Sequence, residues 1–474
     1  MPLLASTLVV GVTGHRNLRE TDLPQLQAQV ETFFADLHAR YPGLPISVLS
    51  SLAEGSDQLV AQVALDLGLR VVAPLPMSAE SYRDDFTHQA ALERFEAQRQ
   101  RAQCVVLSVV PGNDTAAVSK PGPMRDVQYA QAGIFISSHC HILLALWDGR
   151  PSDLLGGTAQ VVDFHLLGTM PTPIDRRRAA LGSLGLGEET IVHHIQARRQ
   201  DGNDDPAAAP RWLTCDQDIV VHATLPSAFD QMFQRHCEFD CDWLQYSSQI
   251  GSRPDDPLLE DATCPIERLF KVADWLATIY QRRVARVLLI TYVLAALMGF
   301  SFILYADVTN QDVMLYLFLL FFTAGIIVSG IAAQRQWHRQ YIDYRALAEG
   351  LRVQSFWRRG GIVDVSTPAF ALDNFLQKQD VELGWIRNVM RGASLDGILQ
   401  STIVTPAQMA EVIEEWIGTT QSPGQLQYDA ATAARRARLH AGAKLIGNAC
   451  LWLGIGISLL LAVFARQIDG RMQN

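Results

Sequence analysis

Short β-branched runs and amphipathic stretches alternate over the first third of the chain. Residues 8–12 form a compact apolar run, a glycine-rich turn follows, and residues 23–37 carry apolar positions at helical spacing. That order predicts strand, tight turn and helix. The device repeats with a strand at residues 46–49 and a helix running through Leu67, for which Ser56 or Asp57 offers a cap. Residues 71–75, 104–110 and 141–147 supply further strands, each separated by helical sequence. Alternation of this kind predicts an α/β domain over residues 1–170, a doubly wound, Rossmann-like parallel sheet covered by helices on both faces.

Near the C-terminus the pattern changes to long apolar runs. Residues 287–306 and 313–333 hold twenty and twenty-one residues without a charge, and residues 445–465 repeat the feature. About 20 apolar residues cross a bilayer, so three spans are expected within a helical membrane domain over residues 261–474. The loop between the first two contains Asp307 and Asp312 but no Lys or Arg, whereas Arg282, Arg283 and Arg286 precede the first span and Arg335 and Arg339 follow the second. The positive-inside rule then turns the hairpin loop outward and leaves the α/β domain in the cytosol, on an inner-membrane, multi-pass protein. Gly325, Ser329 and Ala333, and Gly454 with Ser458, recur at four-residue spacing, which favours close packing between spans or subunits. None of the three runs holds an ionisable residue, which argues against an ion-coupled site at the midplane.

Cytosolic helices are expected over residues 334–444. Trp337, Tyr341, Tyr344, Ala348 and Leu351 recur at four-three spacing, a coiled-coil-like seam for coupling or oligomerisation. It would pair with the helix before the first span or with its copy in another subunit. A continuous helix over residues 313–359 would measure about 70 Å. Residues 266–283 read as an amphipathic helix against the membrane surface or a partner helix, and residues 383–389 and 409–417 as two more, anchored by Trp385 and Trp416. Residues 171–260 read as an extension of surface loop around a small strand or two, including Pro171, Pro173 and Arg176 to Arg178, with His193 and His194 as a solvated pair. Beside His236, Cys237 and Cys241 place two sulfurs on one helical face, and Cys215 and His222 offer further ligands, but the spacing lacks the tight pairs of structural zinc sites, so no metal is expected.

Composition narrows the function classes. The chain has 474 residues and a formal net charge of −10, which excludes a general nucleic-acid binder with a basic face. Its 49% hydrophobic content is concentrated in the three apolar blocks. Seven cysteines in no regular framework suit a reducing cytosol, and the N-terminus lacks the basic segment of a signal peptide.

Candidate chemistry lies in three loops expected at the carboxyl edge of the sheet, where glycine lets backbone N–H groups approach an anion. They are Gly11-Val12-Thr13-Gly14-His15-Arg16, then Glu54-Gly55-Ser56-Asp57, then Gly156-Gly157-Thr158 after Asp148. Arg16 suits a phosphate, and Thr13, Ser56 and Thr158 carry hydroxyl groups. With Ala64 and Leu65, these motifs resemble the SLOG superfamily, which includes the lysine-decarboxylase-like phosphoribohydrolases and the DNA-processing protein A-like Rossmann folds. The resemblance implies a pocket for a nucleotide or nucleotide-derived ligand, NAD derivatives included, lined by these loops. Hydrolytic members carry a catalytic glutamate after the glycine-threonine motif. Here Ala159-Gln160-Val161-Val162 stand in its place, with Asp163 further on, so no catalytic residue is assigned and sensing is favoured.

The hairpin and the motif Tyr344-Arg-Ala-Leu-Ala-Glu-Gly-Leu-Arg-Val-Gln354 resemble SLATT membrane effectors, although a third span departs from that pattern. The combined resemblance implies an antiviral defence protein, a homo-oligomer whose spans permeabilise the membrane when the sensor is loaded. The alternatives are a membrane-anchored nucleotide or NAD hydrolase using Glu54, Asp57 or Asp148, and a non-catalytic membrane scaffold.

Overall fold

The computed structural model describes residues 6–168, 190–202, 208–216, 218–251, 264–309, 311–361, 380–399, 404–419 and 424–472. The expectations for Pro171, Pro173 and Arg176 to Arg178 lie outside these residues. The chain divides into two compact units, the second holding residues 359–361 and 403–474.

The first unit opens with β1 (Leu8–Gly14), α1 (Leu23–Arg40), β2 (Ile46–Leu49), α2 (Ser56–Asp66) and β3 (Arg70–Leu75). It continues through α3 (Ala79–Arg83), α4 (Gln89–Arg101), β4 (Gln103–Val106), α5 (Thr115–Val118), α6 (Pro123–His139), β5 (Ile142–Trp147) and α7 (Thr158–Leu167). Three more strands follow, β6 (Ile191–Gln196), β7 (Arg211–Asp216) and β8 (Asp218–His222). All eight strands form one sheet in the order β4-β3-β2-β1-β5-β6-β7-β8. Strands β1 to β6 pair in parallel, and β7 and β8 close the edge antiparallel. The sequence direction reverses between β1 and β5, so their carboxyl ends form a topological switch point.

Alternation in β1 follows the strand period of two. Leu8, Val10 and Val12 join the core beneath α1 and α2, while Val9 joins the one beneath α6 and α7. On α1, Leu26, Val30, Phe33, Phe34 and Leu37 are buried, the helical spacing expected of a face laid on a sheet.

Several expectations are corrected. Helix α2 starts at Ser56 with Gly55 as its N-cap, and neither Ser56 nor Asp57 caps it. The strand expected at 104–110 is only Gln103–Val106, because β4 is an exposed edge. Residues 191–222 add three strands to the sheet rather than one or two small strands on a surface loop. His193 and His194 are buried instead of solvated; His193 stacks on Phe33 at 4.6 Å, and His194 Nε2 lies 2.9 Å from the Trp147 carbonyl oxygen.

Helices then take over, with α8 (Ser227–Tyr246), α9 (Pro265–Ile303), α10 (Asp312–Gln334), α11 (Trp337–Arg359) and α12 (Gly384–Leu399). The helix expected at 266–283 is the base of α9 and continues into the first span without a break. Its apolar face is buried within the chain, with Leu269, Val272, Ala273 and Leu276 in the same core as α8, α11 and α12. The helix expected over residues 313–359 is broken at Gln336, which adopts a left-handed backbone with φ of 50°. Above the base the hairpin is uncovered: Leu289, Tyr292 and Phe300 on α9 and Tyr316 and Leu320 on α10 are all exposed. Exposed apolar surface so extensive marks a membrane-facing or protein-facing region.

The second unit contains α13 (Pro406–Ile417) and α14 (Gln425–Met472). Thr405 and Gln408 form a reciprocal capping box at the start of α13. Helices within Pro265–Ala306, Asp312–Arg359 and Gln427–Leu459 are long and apolar enough to cross a membrane. The chain is thus an α/β domain with a mixed, mainly parallel sheet, followed by a helical region with three long apolar helices.

Candidate functional site

The three glycine loops meet at the switch point around a cavity of about 380 Å³. Strand β1 and the turn after it deliver Thr13, Gly14, His15 and Arg16 to its wall, the first turn of α2 delivers Asp57, and the start of α7 with the loop before it delivers Gly156, Gly157 and Thr158. A Cβ on Gly14 would come within 2.4 Å of Ser56, and one on Gly55 (φ 88°) within 2.2 Å of the Arg16 carbonyl oxygen. Glycine is therefore required where the first two loops cross. Ser56 secures that crossing: its backbone N–H and its hydroxyl both donate to the His15 carbonyl, at 3.0 and 2.9 Å. Leu52, buried in the same connection, has φ of 55°, a conformation costly for a side chain of its kind.

Nε2 of His15 lies 3.0 Å from the Asp148 backbone nitrogen and 3.2 Å from its carboxylate. Burial lowers the His15 pKa, the nearby Asp148 carboxylate opposes that shift, and Arg199 reinforces it. Arg16 is exposed to the cavity, with its guanidinium 5.0 Å from the centre of the Tyr129 ring, and it forms no ion pair among the described residues. Tyr129 is fixed in turn by Asp85 and the buried Arg125, whose guanidinium lies 2.8 Å from the Asp85 carboxylate. Asp57 lines the same cavity and feels the charge of Arg16. Burial pushes its carboxyl up to about 7 despite the opposing pull of Arg16, the Ala53 and Ser51 backbone N–H groups and the Ser50 hydroxyl.

Helix α7 points its uncapped N-terminus at the cavity, since Gly157 provides no side-chain cap. Gly156 (φ 70°) packs so closely on α6 that a Cβ there would meet the Ala130 nitrogen at 2.7 Å. The loop thereby presents first-turn N–H groups where an anion could sit.

The remaining residues named from sequence stand outside the cavity lining. Glu54 turns away and accepts the Thr87 N–H at 3.0 Å, with His88 Nδ1 2.6 Å from its carboxylate. Gly11 lies in β1 under α6, where a Cβ would meet Ile136 at 2.7 Å. Gly55 and Ser56 brace the loops, and Asp148 sits behind His15 and Arg199. Sequence reasoning missed Tyr82, Asp126, Tyr129 and Arg199, all of which line the cavity. Tyr129 and Asp126 belong to α6, an element visible in the sequence only as helix between two strands. Arg199 follows β6, in a region that gave no motif.

No family model matches the chain, and no curated protein matches it. Among solved structures, the X-ray structure of DNA processing protein A from Streptococcus pneumoniae is similar over 37% of this chain and 62% of that one, at 14% identity and a TM-score of 0.22. The chain thus spans less than two thirds of that protein, and a likeness so slight carries no argument about activity.

The seam expected at Trp337, Tyr341, Tyr344, Ala348 and Leu351 is filled within the chain. Tyr344, Ala348 and Leu351 are fully buried, and Tyr344 packs edge-on against Phe239, Tyr280 and Trp385. Asp242 on α8 accepts the hydroxyls of Tyr280 at 2.8 Å and Tyr344 at 2.5 Å. Trp337 and Tyr341 are partly buried at the upper end, where Arg283 lies over the rings of Tyr246, Tyr280 and Trp337 at 4.8, 4.9 and 5.8 Å. Helix α12 joins this bundle to the sheet. Trp385, Ile386, Val389 and Met390 enter the core shared with α8, α9 and α11, and Leu395 and Ile398 enter the core beneath α6 and α7. Arg70 at the start of β3 pairs with Asp396 at 2.6 Å.

Among the described residues, no group of three His, Cys, Asp or Glu is arranged to hold a metal ion.

Proposed function

We propose that this protein is a ligand-gated membrane effector whose cavity takes a nucleotide or NAD-derived molecule and whose apolar helices respond by permeabilising the bilayer as a homo-oligomer. The observation that carries the reading is the position of α6. It forms the cavity floor with Asp126, Tyr129, Ala132, Gly133 and Ile136, and it packs against α12, which joins the bases of α9 and α11. A ligand that shifts α6 acts through two packed contacts on the foot of the hairpin. Arg16, the Thr13 and Thr158 hydroxyls and the α7 N-terminus suit a phosphate. Tyr82 and Tyr129 suit a flat ring, and Asp57 and Asp126 suit hydroxyl or amino donors. A cavity of about 380 Å³ falls within the range of small-molecule sites. The resemblance to SLOG and SLATT proteins supports a defence role at the inner membrane, with the α/β domain in the cytosol.

Mass spectrometry of small molecules released from the purified chain tests the ligand class, and dye release from liposomes tests the response. Arg16→Ala removes a charge-assisted contact of roughly 1.5–3 kcal/mol, so ligand affinity is expected to fall about 10- to 150-fold. No released nucleotide, together with dye retention in the presence of candidate nucleotides, would refute the proposal.

A second reading, nucleotide hydrolysis, is favoured by Asp57, whose pKa of about 7 in a cavity wall suits a general acid or base. Turnover of nucleotides that disappears in Asp57→Asn would select it.

A further inference from the structure

Helix α8 carries a pair of cysteines outside the cavity lining. Cys237 and Cys241 stand one helical turn apart with their Sγ atoms 3.9 Å from each other. Both sulfurs rest against Gly43, where a Cβ would lie 3.2 Å from each. Cys241 is exposed, Cys237 is partly so, and both are free thiols.

We propose that this pair is an oxidation site, a dithiol that a small disulfide such as glutathione disulfide closes into a bond within α8, loosening the helix from the bases of α9 and α11. The thiolate of one cysteine attacks the small disulfide, forming a mixed disulfide and releasing one thiol. The thiolate of the second then attacks the protein sulfur of that mixed disulfide, forming the Cys237–Cys241 bond and releasing the second thiol. Two electrons and two protons pass from the protein to the small disulfide, and nothing else is consumed.

The consequence follows from geometry. Side chains four residues apart on a helix have Cβ atoms about 5–6 Å apart, whereas a disulfide holds them near 3.8 Å. Ring closure must therefore deform the turn between residues 237 and 241. That turn and the residue after it carry the contacts to the membrane helices: Glu238 pairs with Arg339 at 2.6 Å, and Asp242 accepts from Tyr280, Tyr344 and Gln340. Asp240, between them, accepts from the Ser6 N–H and hydroxyl at 3.1 and 2.9 Å, which ties the same turn to the start of β1. Burial, reinforced by Cys237, pushes the Cys241 thiol up to about 11, so closure quickens as pH rises toward that value.

The test uses the full chain in detergent in a Cys104→Ser/Cys450→Ser background, which removes two other exposed cysteines. After glutathione disulfide and tryptic digestion, the peptide of residues 236–268, in which Arg253 is followed by Pro254 and is not cut, is expected to lose two hydrogens, with fragmentation placing the bond between residues 237 and 241 and leaving Cys264 reduced, and to regain them with dithiothreitol. Hydrogen exchange over residues 337–351 should become faster in the oxidised protein and should not change when Cys237→Ser receives the same treatment. A peptide that stays reduced, or one that carries glutathione without closing, overturns the site. Closure with unchanged exchange over residues 337–351 overturns the link to the membrane helices.

Discussion

Replacing Asp57 by Asn should change stability in a direction that depends on pH. The carboxyl is 7% exposed, and its pKa rises from the ordinary 3.8 to about 7 because burial penalises the charged form. The native state therefore holds this proton more tightly than the unfolded chain does. Its contribution is complete below the unfolded pKa and is lost as pH rises through the native one. A shift of about 3 units at 1.36 kcal/mol each removes roughly 4 kcal/mol between about pH 4 and pH 8. Asn carries no charge and avoids that loss. Its amide N–H₂ cannot accept all the donors the carboxylate meets, the Ala53 and Ser51 N–H groups and the Ser50 hydroxyl, which costs about 1–3 kcal/mol at every pH. The variant should be weaker than the parent by about 1–3 kcal/mol near pH 4 and stronger by a similar amount near pH 8. Thermal melting of the detergent-solubilised chain, followed by tryptophan fluorescence, should resolve this, since about 1 kcal/mol moves the midpoint by roughly 2–4 °C in a domain of this size. A difference between the two proteins that stays constant from pH 4 to pH 8 would refute the assignment of a buried, nearly neutral carboxyl to the cavity wall.

Three other substitutions separate cavity, fold and transmission. Gly55→Ala places a Cβ 2.2 Å from the Arg16 carbonyl at a φ of 88°, so melting should show a loss of at least about 2 kcal/mol, and an unchanged midpoint would contradict the loop crossing. Trp385→Ala empties a fully buried site beside Phe239 and Tyr344 and should cost about 3–5 kcal/mol in the same assay. Tyr344→Phe keeps the packing but removes the hydroxyl bound to Asp242. It should cost about 1–3 kcal/mol, leave ligand affinity intact and weaken liposome dye release; equal loss of binding and release would mark a folding element instead.

Much of this architecture is legible in sequence because it depends on local periodicity. The apolar runs at residues 8–12, 46–49 and 71–75 become β1, β2 and β3, and the uncharged stretches become the exposed faces of α9, α10 and α14. The glycine loops could also be read, since a left-handed φ at Gly55 or Gly156 and a close approach at Gly14 leave little choice of residue. Even within the motifs, however, the direction of a side chain was not legible. Glu54 and Asp57 are three residues apart, yet one turns to His88 and the other lies by Arg16, because Glu54 stands in the turn before α2 and Asp57 in its first turn.

What sequence by itself determined was the set of elements, the sheet's carboxyl edge as the place where the glycine loops meet, and the three apolar helices, all consequences of residue type and spacing. Tertiary structure alone decided which surfaces meet. Residues 191–222 joined the sheet through backbone pairing that no motif announces. The seam of α11 found its partners in α8, α9 and α12, because helices distant in sequence offered apolar faces of matching shape. Tyr129 and Arg199 reached the cavity from segments with no signature of their own. Periodicity specifies which face of an element is apolar, and only the packing of the whole chain specifies what covers it.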